Sequence, residues 1–353
     1  DRLVELACIV QSVKNIRPDW LIHSIKKMTL FTNNIRLRNS NFPNFNDSPI
    51  DGCPPIDEVI EFANSYLDNR ENKLNGVRNI LSKCLKSDSK FCLPKSNIKT
   101  NNNKQIIDLP DTGWTIIKPN NDWELIFKCG KSCPKHLPGH SHSDLLSFDL
   151  FFKGQPIIVE TGTSFYGDNT IRYYERSGAA HNVLRLRPLN NASFSDSRWI
   201  EPVDVWGNFR SGRKARIIKK DFGKDKGNNF WIIGAHDGFN RFGAHHERKI
   251  QINKVESDSL TLTVRENIEC KYRMLANQIF HLGPNQKSSI LNPIFNSSNN
   301  VHDMKISFKR SYYSIAFGKT IKRNMMLVSF ILPRGINMFE TKMSILPKFT
   351  NHY

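Results

Sequence analysis

The chain has 353 residues, enough for about two domains and a sizeable core, and its 39% hydrophobic and 24% charged content is that of a globular protein. Disorder, a collagen-like repeat and a disulfide scaffold are thereby excluded for the bulk of it. Fifty-one Lys and Arg against 33 Asp and Glu leave a net charge of +18, which points to a polyanion without choosing among nucleic acid, anionic lipid and acidic polysaccharide.

Residues 1–30 read as two helices. Leu3, Leu6, Ala7, Val10 and Val13 recur at three-to-four spacing, and from about Asp19 to Leu30 a second stripe holds Leu21, Ile22, Ile25 and Met28. The stretch 32–55 is rich in Asn, Pro and Asp and reads as loop. A third helix is expected over 56–67, with Val59, Ile60, Phe62 and Ala63. The Lys- and Asn-rich residues 87–107 read as a linker. Beyond Ile106 short apolar or alternating runs follow one another, at 114–118, 123–128, 145–152, 156–160, 182–186, 230–235, 249–255, 260–264, 304–308, 313–317 and 326–332. Their β-branched and aromatic residues, the intervening Gly, Asn, Asp and Ser, and the near absence of helices predict antiparallel sheets packed as a sandwich. The fold class is therefore α+β multidomain.

The longest aliphatic run, 325–332, falls far short of the roughly 20 residues of a spanning helix. No N-terminal stretch has the order of a signal peptide. Because the chain starts at Asp1 rather than Met, it is expected to be part of a longer protein. The seven cysteines, Cys8, Cys53, Cys84, Cys92, Cys129, Cys133 and Cys270, are an odd, scattered set and form no disulfide framework, although Cys129 and Cys133 are near enough in sequence to bridge.

The densest chemistry is P-G-H-S-H-S-D at 138–144. On extended backbone His140 and His142 would point to the same side, either onto one metal or with one ring on a metal and the other in a cleft. In the following run Leu146, Phe148, Leu150 and Phe152 alternate with Ser147 and Asp149, which mounts the histidines beside a strand. Glu160 closes the apolar run before Gly162, and His181 opens another strand among small residues. Two histidines and one carboxylate from this group, with an open position, form a zinc set, with satisfied polar residues in a sandwich as the alternative. Cys129, Cys133 and His136 form a looser rival set without an evident fourth ligand. A cupin would need its Glu sooner after the paired histidines, and the metallo-β-lactamase motif would need a His where Leu145 stands.

The strings G-H-S-H-S-D-L-L-S-F-D-L (139–150), V-E-T-G-T-S-F-Y (159–166) and R-S-G-A-A-H-N-V-L (176–184) together resemble the heparinase II/III-like polysaccharide lyases. Weaker support comes from F-N-D-S-P (45–49), V-W-G-N-F-R-S-G-R-K-A (205–215) and A-H-D-G-F (235–239). The resemblance implies the end of an N-terminal (α/α) toroid over 1–90, a linker over 91–105 and a large antiparallel β-sandwich over 106–353. It implies a structural zinc on His142, Glu160 and His181, with Glu160 standing where the family has Asp, and a cleft role in catalysis for His140. The implied activity is cleavage of a uronic-acid-containing acidic polysaccharide by β-elimination, in the periplasm, the cell envelope or outside the cell. The toroid partners of that chemistry are expected to precede Asp1. Tyr166, Tyr173 and Tyr174 are nearby acid–base candidates, with aromatic packing as the alternative. Arg172 and Arg176 are candidates to face an anionic substrate, with ordinary exposed arginines as the alternative. A non-catalytic, metal-containing carbohydrate-binding module is the second reading. A nucleic-acid binder has only the charge in its favour, without a clustered basic helix or an aromatic RNA-reading motif.

Overall fold

Pro18 splits the first apolar stretch into two helices, α1 (Arg2–Lys14) and α2 (Asp19–Ile35), with Asn15 left-handed at φ 50° after the first. The proline is held at φ −61°, ψ 129°, a conformation that enters a helix without continuing the one before it. In the computed structural model, which describes residues 2–52, 54–68, 76–83, 104–134, 136–189, 198–207, 209–298 and 301–347, these two helices pack with α3 (Ile56–Asp68) and α4 (Gly76–Lys83). The expected stripe on α1 is rotated: Val4, Ala7, Cys8 and Gln11 are buried, whereas Leu6 and Val13 are exposed. Leu21, Ile22 and Ile25 of α2 and Phe62, Ala63 and Tyr66 of α3 complete that core. Met28, expected on the buried stripe, is exposed. Among the described residues no helix is long and apolar enough to cross a membrane.

The chain divides into two compact units, Asp1–Pro43 with Cys53–Lys104, and Asn44–Gly52 with Gln105–Tyr353. Residues 44–52, expected as plain loop, thus belong with the sheets. Most of the expected linker over 91–105, and Cys53, Cys84 and Cys92, lie outside the described residues.

The second unit is antiparallel throughout. A five-stranded meander runs β1 (Ile106–Leu109), β2 (Trp114–Ile117), β3 (Trp123–Lys128), β4 (Phe148–Phe152) and β5 (Gln155–Ile158). Then follow α5 (Thr170–Arg176), β6 (Leu184–Pro188), and a hairpin of β7 (Val203–Val205) and β8 (Ser211–Lys214). The remaining strands are β9 (Ile217–Lys224), β10 (Phe230–His236), β11 (Ala244–Asn253), β12 (Leu260–Cys270), β13 (Met274–His281), β14 (Leu291–Ser297), β15 (His302–Ala316), β16 (Lys319–Leu332) and β17 (Gly335–Ile345). They build a six-stranded sheet, β14-β17-β12-β11-β10-β9, and a four-stranded sheet, β15-β16-β13-β6.

The inward positions of all three large sheets meet in one core. Phe127, Phe148 and Leu150 come from the meander, Ile250, Leu262 and Phe339 from the six-stranded sheet, and Met274, Phe280 and Phe330 from the four-stranded one. Phe330 and Phe339 stack across the sheets with ring centroids 4.0 Å apart. At one end the inward positions turn polar. Arg248 and His246 of β11 engage Glu266 of β12, and Gln278 of β13 donates to the same carboxylate over 2.8 Å. A buried ionic group of this kind persists only when paired and hydrogen-bonded. Arg248 also donates from Nη1 to the carbonyls of Leu146, 2.8 Å away, and Asn182. It therefore anchors the two loops that carry the histidines.

Candidate active site and metal centre

The histidine loop leaves β3 and enters β4. Residues 145–147, expected as strand, are loop instead, because Leu146 sits at φ 63° with its amide on Lys128 O and its carbonyl on Arg248. Pro138–His140 form a short 3-10 turn, so His140 is not on the extended backbone that the sequence suggested, which begins only at Ser141. Gly139 is needed there: a Cβ would fall 2.9 Å from Phe209 Cβ, whose ring lies 5.5 Å from that of His140. Gly162 has a matching role after Glu160. Its φ is 76°, and a Cβ would sit 2.1 Å from the amide nitrogen of Asn44, so it admits the segment that carries Asp47.

Asp47 joins the two histidines. His140 lies with Nδ1 2.7 Å from one carboxylate oxygen, and His142 with Nε2 2.8 Å from the other. Arg172 holds both oxygens through Nη1 and Nη2, and the Thr163 hydroxyl donates over 3.2 Å. Burial would raise the Asp47 pKa, but hydrogen bonds and charge from His142 and Arg172 outweigh it and hold the carboxyl well below the usual range. Asp47 is consequently an acceptor, so both rings donate to it. The His140 side chain is 43% exposed, with Nε2 on the ring side away from Asp47. His142 is 1% exposed and presents Nδ1 inward. Burial lowers its pKa to about 4, so it stays a neutral ligand.

Inside this layer His142, Asp144 and His181 each bring one ligand atom within 4.8 Å of the others, all buried. Glu160 Oε2 stands 3.1 Å from His181 Nδ1. Its burial would raise the pKa, but the charge of His181 holds it down, and in return Glu160 raises His181 against that ring's own burial. His142 Nδ1, Asp144 Oδ1 and His181 Nε2 are buried here without a hydrogen-bond partner. Each would cost about 1–3 kcal/mol if left so. A cation held by one atom from each of these three residues satisfies them, and a ring that donates its far N–H to a carboxylate, as His142 does to Asp47, is the usual support of a metal ligand. The residues therefore fit a metal. Of the ligand set that the resemblance implied, His142 and His181 lie in this converging group, Glu160 stands beside it on His181, and Asp144, whose other oxygen pairs with Lys128, was not foreseen. Cys129, Cys133 and His136 do not gather as a ligand set among the described residues. Cys129 and Cys133 are free thiols, so the sequence-level bridge is not formed.

The other candidates divide. Tyr166 lies beside His140, ring centroids 6.4 Å apart, and its hydroxyl donates to Asp47 O over 3.3 Å. Phe209 and Phe317 pack on it at 5.0 Å, and Phe165, Phe209 and Phe317 are all exposed, which leaves an aromatic rim around His140. Arg172 is buried on Asp47 with its guanidinium 5.3 Å from the Tyr166 ring centroid. Arg176 is buried and donates to the carbonyls of Ser141, Trp206 and Arg210, so it holds the loops around the histidines and presents no free face. Tyr174 bonds Ser311 at 3.0 Å, away from the cluster, and Tyr173 is exposed. Asp47 was missed from sequence; its one signal was its place inside F-N-D-S-P.

The model of the family described as heparinase II/III-like, C-terminal, matches residues 101–322. Among solved structures the fold is similar to that of a heparinase III, with TM-score 0.62, 13% identity and coverage of 98% of this chain and 53% of that one. A second heparinase III gene product gives TM-score 0.61, 14% identity and coverage of 97% and 50%. Heparan sulfate lyase HepC from Pedobacter heparinus gives 0.57, 16%, and 94% and 48%. The chain spans about half the length of these proteins. No curated protein matches it.

Proposed function

The chain belongs to the heparinase II/III-like family, matching its C-terminal domain, and on that premise we propose that it is the sandwich portion of a lyase that cleaves a uronic-acid-containing acidic polysaccharide by β-elimination. The observation that carries this reading is the half-exposed His140, fixed by Asp47 beside Tyr166 within an aromatic rim. Exposed rings suit the C–H faces of sugars, and the +18 charge suits an acidic chain.

In the proposed reaction His140 Nε2 takes the proton at C5, beside the uronate carboxylate. The C5–H electron pair becomes the C4=C5 double bond, and the C4–O4 pair leaves with the oxygen. Tyr166 donates its hydroxyl proton to that oxygen. Burial, and then the charge of Asp47, raise the tyrosine pKa, which keeps the hydroxyl protonated as an acid requires. Asp47 balances the imidazolium formed on His140, and solvent exchange returns both groups to their starting states. Arg172 acts through Asp47, and Arg176 by holding the loops. Zinc on His142 and His181 with Asp144 and Glu160 is proposed as structural: when bound it supplies charge balance and ties the loop before β4 to the ends flanking β5 and β6. An acidic polysaccharide substrate places the protein in the periplasm, the cell envelope or outside the cell.

The test is product analysis of the complete protein on a panel of uronate polymers. Elimination yields a non-reducing end lighter by one water than hydrolysis does. Hydrolytic products would overturn the reaction class, and binding without any product would favour a carbohydrate-binding module.

A further inference from the structure

The four-stranded sheet turns one face to the core and leaves the other open. On β13 Met274, Ala276 and Phe280 point inward, so Leu275, Asn277 and Ile279 lie on the outer face. Register carries that face across the sheet. Asn277 is opposite Arg185 of β6 and Ser329 of β16, and Ser329 is opposite Lys305 of β15. One row on, Leu275 is opposite Arg187 and Ile331; in the other direction, Met325 is opposite Lys309. Both edge strands therefore carry cations, and the two inner strands form an aliphatic and amide floor. Four strands at about 4.8 Å spacing set the two margins about 14 Å apart.

A cavity of about 530 Å³ opens on this face, lined by Arg185, Asn277, Ile279, Leu327, Lys309 and, from α5, Tyr174. That is the size of a site for a small ligand or a short oligomer segment. Arg185 pairs with Glu201 at 2.9 Å, but Lys305 and Lys309 have no acidic partner among the described residues. The one carboxylate among the described lining residues, Glu175, is buried and accepts the Ser164 amide at 2.8 Å. The furrow is thus net positive and unneutralised along the β15 margin.

We propose that this outer face binds an anionic oligosaccharide segment, as a second site apart from the Asp47 cluster. Cations on both margins match acidic groups repeated along a chain, the aliphatic floor matches the C–H faces of sugar rings, and Asn277, Ser329 and Thr320 offer hydrogen bonds to hydroxyls. Single-stranded nucleic acid would stack its bases on rings, and the rings in the lining, Tyr174 and Tyr312, come from α5 and the β15 margin, while the floor on β13 and β16 is aliphatic, so the DNA oligomer serves as the competing outcome. The charge class follows from the sheet itself; its identification as a saccharide rests on the proposed function.

The experiment is calorimetric titration of the 353-residue chain with a heparan sulfate hexasaccharide, an alginate hexasaccharide, neutral cellohexaose and a single-stranded DNA oligomer. At least one acidic hexasaccharide should bind with an affinity that falls as salt rises, and cellohexaose should not bind. The pair Lys305→Glu and Lys309→Glu, both on exposed positions, should weaken binding at least tenfold, whereas Lys226→Glu, on the exposed turn between β9 and β10, should leave it unchanged. Equal binding by the lysine variant, binding of cellohexaose, or DNA binding of the same strength and lysine dependence would each overturn the proposal. The two readings separate cleanly: lysine-dependent binding of an acidic hexasaccharide, with no uronate polymer cleaved by the complete protein, sinks the lyase reading and keeps the groove.

Discussion

His142 donates from Nε2 to Oδ1 of Asp47 over 2.8 Å, joining side chains 95 positions apart in sequence. Both are almost fully buried, and the second oxygen of the same carboxylate takes the half-exposed His140. One acidic group therefore sets the tautomers of a ring that faces the metal cluster and a ring that faces solvent. Damage to Asp47 must reach both.

Asp47→Asn keeps the volume and removes the charge that both rings and Arg172 require. Metal affinity should fall about 10–100-fold, as for other lost supports of a ligand, and activity of the complete enzyme about 10²–10⁴-fold. Elemental analysis after dialysis against a weak chelator checks the first. Undiminished metal would separate Asp47 from the centre.

Asp144→Asn and Glu160→Gln should each reduce bound metal, since each removes an acceptor from the cluster. Asp144→Asn should in addition destabilise the fold by about 3–5 kcal/mol, because it strands the buried ammonium of Lys128. Metal stoichiometry and urea midpoints on both variants read this out. Full occupancy in both would return the cluster to a hydrogen-bonded core.

Arg248→Met should cost about 3–5 kcal/mol, as it leaves Glu266 charged in the core and frees the carbonyls of Leu146 and Asn182. Adding Glu266→Gln should recover part of that loss. A double-mutant cycle in urea measures the coupling, and strictly additive losses would contradict the pairing.

Stability should decline as pH falls. Burial, with the neighbouring His246, lowers His236 from 6.5 to about 3, so below pH 6.5 the unfolded chain takes a proton that the folded chain refuses. Glu266 is lowered from 4.5 to about 2 by Arg248 and His246 against its burial, so its contribution is complete above pH 4.5 and is lost toward pH 2. Both signs agree, and each fully unmatched proton is worth about 1.4 kcal/mol per pH unit. Urea midpoints should drop from pH 7 to pH 4, and His236→Phe should flatten the slope between 6.5 and 4. Midpoints rising over that interval would contradict the assignment.

Periodicity made α1, α2, α3 and most of the β3–β6 and β10–β12 strands legible, because their apolar residues fall at 3.6 or 2.0 spacing. It failed where polar residues point inward. Gln278 on β13 and the exposed faces of β9 and β14 mask the alternation, so those strands went unseen. The runs at 304–308 and 313–317 are one strand, β15, whose exposed middle looked like a break. At the site, His140, His142, Glu160 and His181 were readable from local strings. Asp47 and the loop-holding contacts of Arg176 were not, since both depend on packing between distant segments.

The central claim is that His140 does acid–base chemistry while the metal beneath it holds the fold. The direct measurement pairs ultraviolet absorbance of unsaturated product with metal content for wild type and His140→Ala in the complete protein. The expected result is a rate lower by about 10²–10⁴ with metal and thermal stability unchanged. A variant that keeps its rate, or that loses metal in step with activity, would contradict it.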